Sequence, residues 1–243
     1  MFTSRRRGVR FVILFPGRAG SSYLNTMLER HPDIAMKGEV LGALRAEGSE
    51  RQLEWTRRYL RGPLIWRRKA TGFKTKLRDV HDPAQFGAIL RAHDARVIEL
   101  TRTDDLKHAV SRINARRLHA ITGRWNRRPG DPSLEPAEIA PDDLEHHLRR
   151  VQIEKADIHT FVDHLGQPSL TITYEELLGS LQPTLARLFT FISVPEVTMD
   201  GTTQKNTDDD LARAVPNLPE LRAHFRGTPF EPLFDEPARG PAR

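Results

Sequence analysis

Apolar and polar positions along this chain follow two alternating periods. Phe11-Val12-Ile13-Leu14-Phe15 is a short apolar, β-favouring run cut off by Pro16-Gly17 and reads as a strand. From Ser22 to Arg30 the spacing turns helical, with Leu24, Met27 and Leu28 on one side. His31-Pro32 ends that helix. A short extended segment, Ile34 to Leu41, follows and carries Glu39 directly after Gly38. Glu50 to Leu60 reads as a charged helix closed by Gly62-Pro63. Gly72 to Thr75 predicts a second strand and Pro83 to Arg91 a helix with Phe86, Ile89 and Leu90 inward. Arg96 to Thr101 predicts a third strand, leading into a helix from Asp104 to about Arg117.

Beyond it lies a polar stretch punctuated by Gly123, Pro129, Gly130, Pro132, Pro136 and Pro141, which reads as a loop. Asp142-Asp143 opens a helix with a long apolar stripe from Leu144 to Leu165, and Gly166 closes it. Ser169 to Tyr174 predicts a fourth strand and Pro183 to Ile192 a helix. Two further helices are expected over Asp208 to Val215 and Pro219 to Phe225. Strands alternating with helices predict an α/β fold, a mainly parallel sheet flanked by helices. No repeat and no linker marks a second domain, so residues 1–243 read as a single domain.

Composition changes this picture only at a few points. The chain has 243 residues, enough for one large core. No apolar run approaches the length of a membrane span. Ser4-Arg5-Arg6-Arg7 before Phe11 looks superficially like a twin-Arg export signal, but the apolar segment after it is too short, and it reads as the first strand. Cysteine is absent, which excludes disulfides, thiolate nucleophiles and Cys metal sites and suits the cytoplasm. The net charge of +6 admits nucleic acid, a membrane surface or a small polyanion. The basic clusters are scattered and lack interleaved aromatics, so no nucleic-acid partner is expected.

The chemistry concentrates between the first strand and its helix. Gly17-Arg18-Ala19-Gly20-Ser21-Ser22 is a small-residue loop with one Arg at a helix start. Amides there point outward without a partner in the helix, the helix dipole adds positive charge, and Arg18 offers a fork of donors. Gly20 is expected to let a ligand approach the backbone. A nucleoside-triphosphate loop needs G-x-x-x-x-G-K-[ST], and here only two residues separate Gly17 from Gly20 and no Lys precedes Ser21.

Arg18-Ala19-Gly20-Ser21-Ser22 instead resembles the 5′-phosphosulfate loop of sulfotransferases. Arg102 at a strand end with Ser111 on the next helix resembles that family's station for the donor 3′-phosphate. The Ala-Val-Ser form, the Thr122-Gly123-Arg124-Trp125 stretch and Tyr174-Glu175-Glu176-Leu177 are similar to the bacterial branch typified by trehalose 2-sulfotransferase. The region from Leu211 to Thr228 has the family's look as well. The resemblance covers most of the chain, and its short motifs occur in the family's order.

It implies a P-loop-like sulfotransferase fold and transfer of a sulfuryl group from 3′-phosphoadenosine-5′-phosphosulfate (PAPS) to a hydroxyl. The product would be adenosine-3′,5′-bisphosphate, with no metal. The implied donor site comprises Arg18, Ala19, Gly20, Ser21, Ser22, Tyr23, Arg102, Ser111, Tyr174 and Lys205. Tyr23 sits where relatives pack an aromatic on adenine, although a core position suits it equally. Arg18 and Lys74 are expected to stabilise the leaving phosphate, and Glu39 to act as general base. His31, His81, His93 and His108 are bases by type but stand in no matching motif. The implied acceptor is a small molecule, carbohydrate or glycolipid, and the branch admits a homodimer. Two other classes remain open: a nucleotide kinase-like enzyme with a degenerate P-loop, and a basic interaction protein.

Overall fold

The computed structural model describes residues 8–62, 68–127, 134–200 and 210–235. In chain order the elements are β1 (Val9–Leu14), α1 (Ser21–Arg30), β2 (Ile34–Lys37), α2 (Val40–Ala43), α3 (Ser49–Arg61), β3 (Ala70–Thr75), α4 (Pro83–Ala92) and β4 (Arg96–Thr101). They continue with α5 (Asp105–Thr122), α6 (Pro141–Leu165), β5 (Ser169–Thr173), α7 (Tyr174–Gly179), α8 (Leu181–Phe191), α9 (Leu211–Ala214) and α10 (Leu218–His224). They group into two compact units. One falls within Met1–Thr101 and Glu154–Gly201, the other within Arg102–Ile153 and Thr202–Arg243.

The first unit holds a five-stranded sheet in the order β2-β3-β1-β4-β5, with every neighbouring pair parallel. The predicted extended segment after α1 is thus a fifth strand, β2, which pairs with β3 at the sheet edge. Only Ile34 to Lys37 pairs, because the chain turns at Gly38 and enters α2. β1 lies in the middle, and its alternating residues serve both faces. Phe11 and Ile13 pack with Leu24, Met27 and Leu28 of α1 and with Leu185, Leu188 and Phe189 of α8. Val12 and Leu14 pack with Phe73, with Leu53 of α3, with Phe86 and Leu90 of α4 and with Ile158 of α6. Burial on both faces is why the β1 sequence reads as an unbroken apolar run.

From β1 the chain moves to β2 and β3 on one side, then to β4 and β5 on the other. The carboxyl end of β1 is therefore the switch point of the sheet, where open α/β sheets leave a crevice for ligands.

The second unit is built on α5. Leu106, Ala109, Val110 and Ile113 pack with Leu144, Leu148, Val215, Leu221, Phe225 and Phe230. Asn217 clamps Ile139 with two hydrogen bonds of 3.0 Å, one to its amide and one from the Asn217 side chain to its carbonyl. No described helix in either unit is long and apolar enough to cross a membrane.

One position in the sheet tests this packing. Gly72 stands opposite Phe11 in the β1–β3 register. A Cβ on Gly72 would lie 2.4 Å from the Phe11 ring, inside van der Waals contact. Gly72→Ala is expected to lower unfolding stability by about 1–3 kcal/mol through overpacking. Gly179→Ala, where a Cβ would meet nothing within 4 Å, is expected to stay within about 0.5 kcal/mol. Urea titration of the two variants checks the contrast.

Candidate functional site

The loop from Pro16 to Gly20 turns sharply enough to need two residues of positive φ. Arg18 has φ 76° and Gly20 has φ 83°. The Ala19 amide closes the turn on the Pro16 carbonyl at 3.3 Å. Gly20 then caps α1, whose first turn contains no acidic residue. The amides of Ser21 and Ser22 precede the first possible intrahelical bond, so the helix start favours an anion.

The fold gives Gly20 a packing role as well. Besides its positive φ, the space beside its Cα is taken by Tyr174, whose ring would stand 2.4 Å from an added Cβ. Close packing of a protein side chain fills that space. Tyr174 is held there by the start of α7. Thr173 and Glu176 form a reciprocal cap, with the Glu176 amide donating to Thr173 Oγ1 at 3.1 Å and the Thr173 amide donating to Glu176 Oε2 at 2.7 Å. Arg187 holds the same carboxylate at 2.6 Å. The predicted fourth strand thus ends one residue early, and Tyr174 opens a helix. Tyr23 is half-buried and packs against the α1 side of the core.

The β3 strand supplies the central charge. Lys74 is paired in register with Ile13, so both project to the face of the sheet that α1 covers. Lys74 is only 5% exposed. Its Nζ stands 3.2 Å from Ser21 Oγ, 3.5 Å from Ser22 Oγ and 3.2 Å from Glu39 Oε1. It also sits 5.3 Å from the centre of the Phe15 ring. Burial holds the Lys74 ammonium below its ordinary pKa, with Glu39 opposing that effect.

Glu39 follows β2 and stands just ahead of α2, where its side chain makes no helix cap. It is paired through Oε1 with Lys74 and through Oε2 with Lys76. Burial pushes the Glu39 carboxyl up, but the two ammonium groups outweigh it and hold the group below its usual value. Glu39 is therefore ionised at neutral pH, the form a proton acceptor needs. Lys76 and its partner Asp79 were not singled out from the sequence. Lys76 Nζ lies 3.5 Å from Asp79 Oδ2 and 5.8 Å from the Phe15 ring centre. The available signal was the Lys-Thr-Lys run at the end of β3, where alternate residues share a side.

In the second unit, Arg102 is half-buried and Ser111 is a buried hydroxyl on α5. Asp104 caps α5, accepting from the Lys107 amide at 2.8 Å. Thr122-Gly123-Arg124-Trp125 forms the end of that helix. Gly123 has φ 69°, Thr122 Oγ1 donates to the Leu118 carbonyl at 2.8 Å, and Trp125 stacks on His119 at 4.2 Å. Lys205 lies outside the described residues.

Two of the four histidines have plain structural work. The His31 ring is fully buried; it accepts from the Asp33 amide at 3.0 Å through Nδ1 and meets the Pro195 carbonyl at 2.9 Å through Nε2. His81 Nε2 meets the Arg45 carbonyl at 2.8 Å. His93 ends α4, and His108 is buried in α5.

The Gly20–Tyr174 contact predicts coupled effects. Gly20→Ala is expected to cost about 1–3 kcal/mol of stability, from the left-handed φ and the clash together. In a Tyr174→Ala background the cost of Gly20→Ala should be smaller, because only the backbone strain remains. Denaturation of the two single variants and the double variant measures that coupling.

No protein-family model matches the chain. It is 30% identical to nodulation protein H of Rhizobium tropici over 241 residues, covering 93% of this chain and 92% of that protein. It is 26% identical to nodulation protein H of Rhizobium meliloti (strain 1021), covering 93% and 94% respectively. Among solved structures, a sulfotransferase from Alicyclobacillus acidocaldarius matches with a TM-score of 0.55 at 17% identity, over 89% of this chain and 91% of that one. That likeness places the parallel sheet in the P-loop-like sulfotransferase fold. From the extent of the match to the Rhizobium tropici protein, the chain belongs to the nodulation protein H family.

Proposed function

We propose that the protein transfers the sulfuryl group of PAPS to a hydroxyl of a small-molecule, carbohydrate or glycolipid acceptor, with Glu39 as general base. The observation that carries this reading is Lys74. One buried ammonium stands within 3.5 Å of two loop hydroxyls at a helix start and within 3.2 Å of the Glu39 carboxylate. Anion binding and proton acceptance are thereby neighbours inside one unit.

The donor set fits a phosphosulfate. Arg18, the α1 amides, the hydroxyls of Ser21 and Ser22 and the Lys74 ammonium are all hydrogen-bond donors. Arg102 and Ser111 are the proposed contacts of the 3′-phosphate, with Lys205 as a further one, and Tyr23 is proposed to pack on the adenine. In the reaction the acceptor oxygen forms a bond to sulfur while the bond from sulfur to the phosphate oxygen breaks. Glu39 takes the proton of the acceptor hydroxyl. Arg18 and Lys74 balance the charge that grows on the departing phosphate. The cysteine-free sequence supports a cytoplasmic setting.

Three measurements test the proposal. Adenosine-3′,5′-bisphosphate should raise the melting temperature at concentrations where ATP with magnesium does little; the opposite order favours a kinase-like enzyme. Arg102→Ala should lower affinity for that bisphosphate about tenfold to hundredfold, since a charge-assisted contact is worth about 1.5–3 kcal/mol. Calorimetry showing unchanged affinity removes Arg102 from the donor site. Glu39→Gln should cost roughly a hundredfold to ten-thousandfold in turnover and leave donor binding unaltered. Turnover is read with labelled PAPS and a metabolite extract of the source organism, scored for new sulfated product. Normal turnover with a lower melting temperature would make Glu39 a structural residue.

A further inference from the structure

Each oxygen of the Glu39 carboxylate has its own cation, and the two cations differ in what else they touch. Lys74, on Oε1, also faces the hydroxyls of Ser21 and Ser22 at the start of α1. An anion bound at that helix start would compete with Glu39 for Lys74. Lys76, on Oε2, has Asp79 as its second partner, at 3.5 Å.

Asp79 is itself held firmly. Its carboxylate is paired with Arg45 at 3.4 Å, and a Cβ on Gly42 would come 3.1 Å from Oδ2. Its amide bonds back to the Lys76 carbonyl at 3.0 Å, and its carbonyl accepts from Gln52 at 2.7 Å. A linked series of charges, Arg45, Asp79, Lys76 and Glu39, thus runs through the first unit and ends on one oxygen of Glu39.

We infer that Lys76 and Asp79 are positioning residues that hold Glu39 by Oε2, so that Oε1 is left to take the acceptor proton once Lys74 turns to the donor. The inference rests on Glu39 being the base. With Lys76 as a fixed pivot, the carboxylate keeps its aim after Lys74 is drawn toward the phosphosulfate. Without that pivot it would lose both cations in the state that reacts.

The charged neighbours set the sign of the pH effect. Lys74 and Lys76 face Glu39 from β3 and the residues just after it. Asp79 stands behind Lys76 and Arg45 behind Asp79. Arg78 is 4.0 Å from Asp79 and is also held by Glu154 of α6 at 3.0 Å. Glu29 of α1 acts on Lys74 through space. Removing the Lys76 charge leaves Glu39 easier to protonate. A base must be unprotonated, so the acid limb of the kcat profile moves to higher pH.

The test compares Lys76→Met, Lys76→Arg, Asp79→Asn, Glu39→Gln and the double variant Glu39→Gln/Lys76→Met. Transfer from labelled PAPS to the acceptor fraction sulfated by the parent chain is measured against pH. Binding of adenosine-3′,5′-bisphosphate is measured by calorimetry. Lys76→Met is expected to lower kcat about tenfold to hundredfold, as a misplaced catalytic group does, with donor affinity retained. Its acid limb should rise by about one pH unit, and Lys76→Arg should restore most of the rate. Asp79→Asn should give a smaller loss in the same direction. In the Glu39→Gln background Lys76→Met should change little further. Carbon NMR of glutamate-labelled protein, with the Glu39 signal assigned by its loss in Glu39→Gln, should show the same upward move in the Glu39 titration. A slow Glu39→Gln beside a Lys76→Met of normal rate and unmoved acid limb overturns the positioning role and leaves the base in place. A Glu39→Gln of normal turnover overturns both. A full further loss from Lys76→Met in the Glu39→Gln background shows that Lys76 acts without Glu39 and overturns the inference.

Discussion

A buried ammonium must be compensated, and the site depends on how Lys74 meets that demand. A cation removed from water is costly unless charge and hydrogen-bond acceptors surround it. Lys74 is satisfied by Glu39, by the hydroxyls of Ser21 and Ser22, and by the face of the Phe15 ring. Those partners come from the segment after β2, from the start of α1 and from the end of β1. One side chain therefore ties three chain segments together at the carboxyl edge of the sheet. Among its described direct partners Glu39 is the one anion, Glu29 acting only through space, and the first turn of α1 adds none.

Rigidity around that edge comes from packing and capping. Tyr174 fills the space beside Gly20, and its own place is set by the Thr173–Glu176 cap and by Arg187. The loop from Pro16 to Gly20 is in this way braced from β5 and α7. Arg18 holds a positive φ that non-glycine residues seldom adopt, and such strain persists where the surroundings over-determine the conformation.

Electrostatics at Glu39 show a compromise between availability and strength. Burial would raise its pKa, and two lysines lower it further than burial raises it. A carboxylate held below its usual value is a weaker proton acceptor, yet it is ready at neutral pH and is oriented by two ion pairs. In a preorganised site, geometry and fixed charge contribute more than intrinsic basicity.

The sequence alone determined the α/β alternation and the succession of first strand, small-residue loop and helix around Gly17 to Ser22, because each rests on local spacing and residue type. It also singled out Glu39 and Lys74, through position in motifs and resemblance. It did not reveal that Ile34 to Lys37 pairs as an edge strand, since four residues leave too short a periodic signal. Nor did it show why position 20 is glycine: Tyr174 is distant in the chain, and only the folded sheet brings its ring there. Lys76 and Asp79 carry no local signal, and their arrangement is a through-space fact: Lys76 pairs with Glu39 from the segment after β2, and Asp79 pairs with Lys76. The Lys74 side chain was legible as a positive charge, but its burial was not. A strand register decides which face a residue takes, and pairing Lys74 with Ile13 turned that lysine toward the start of α1.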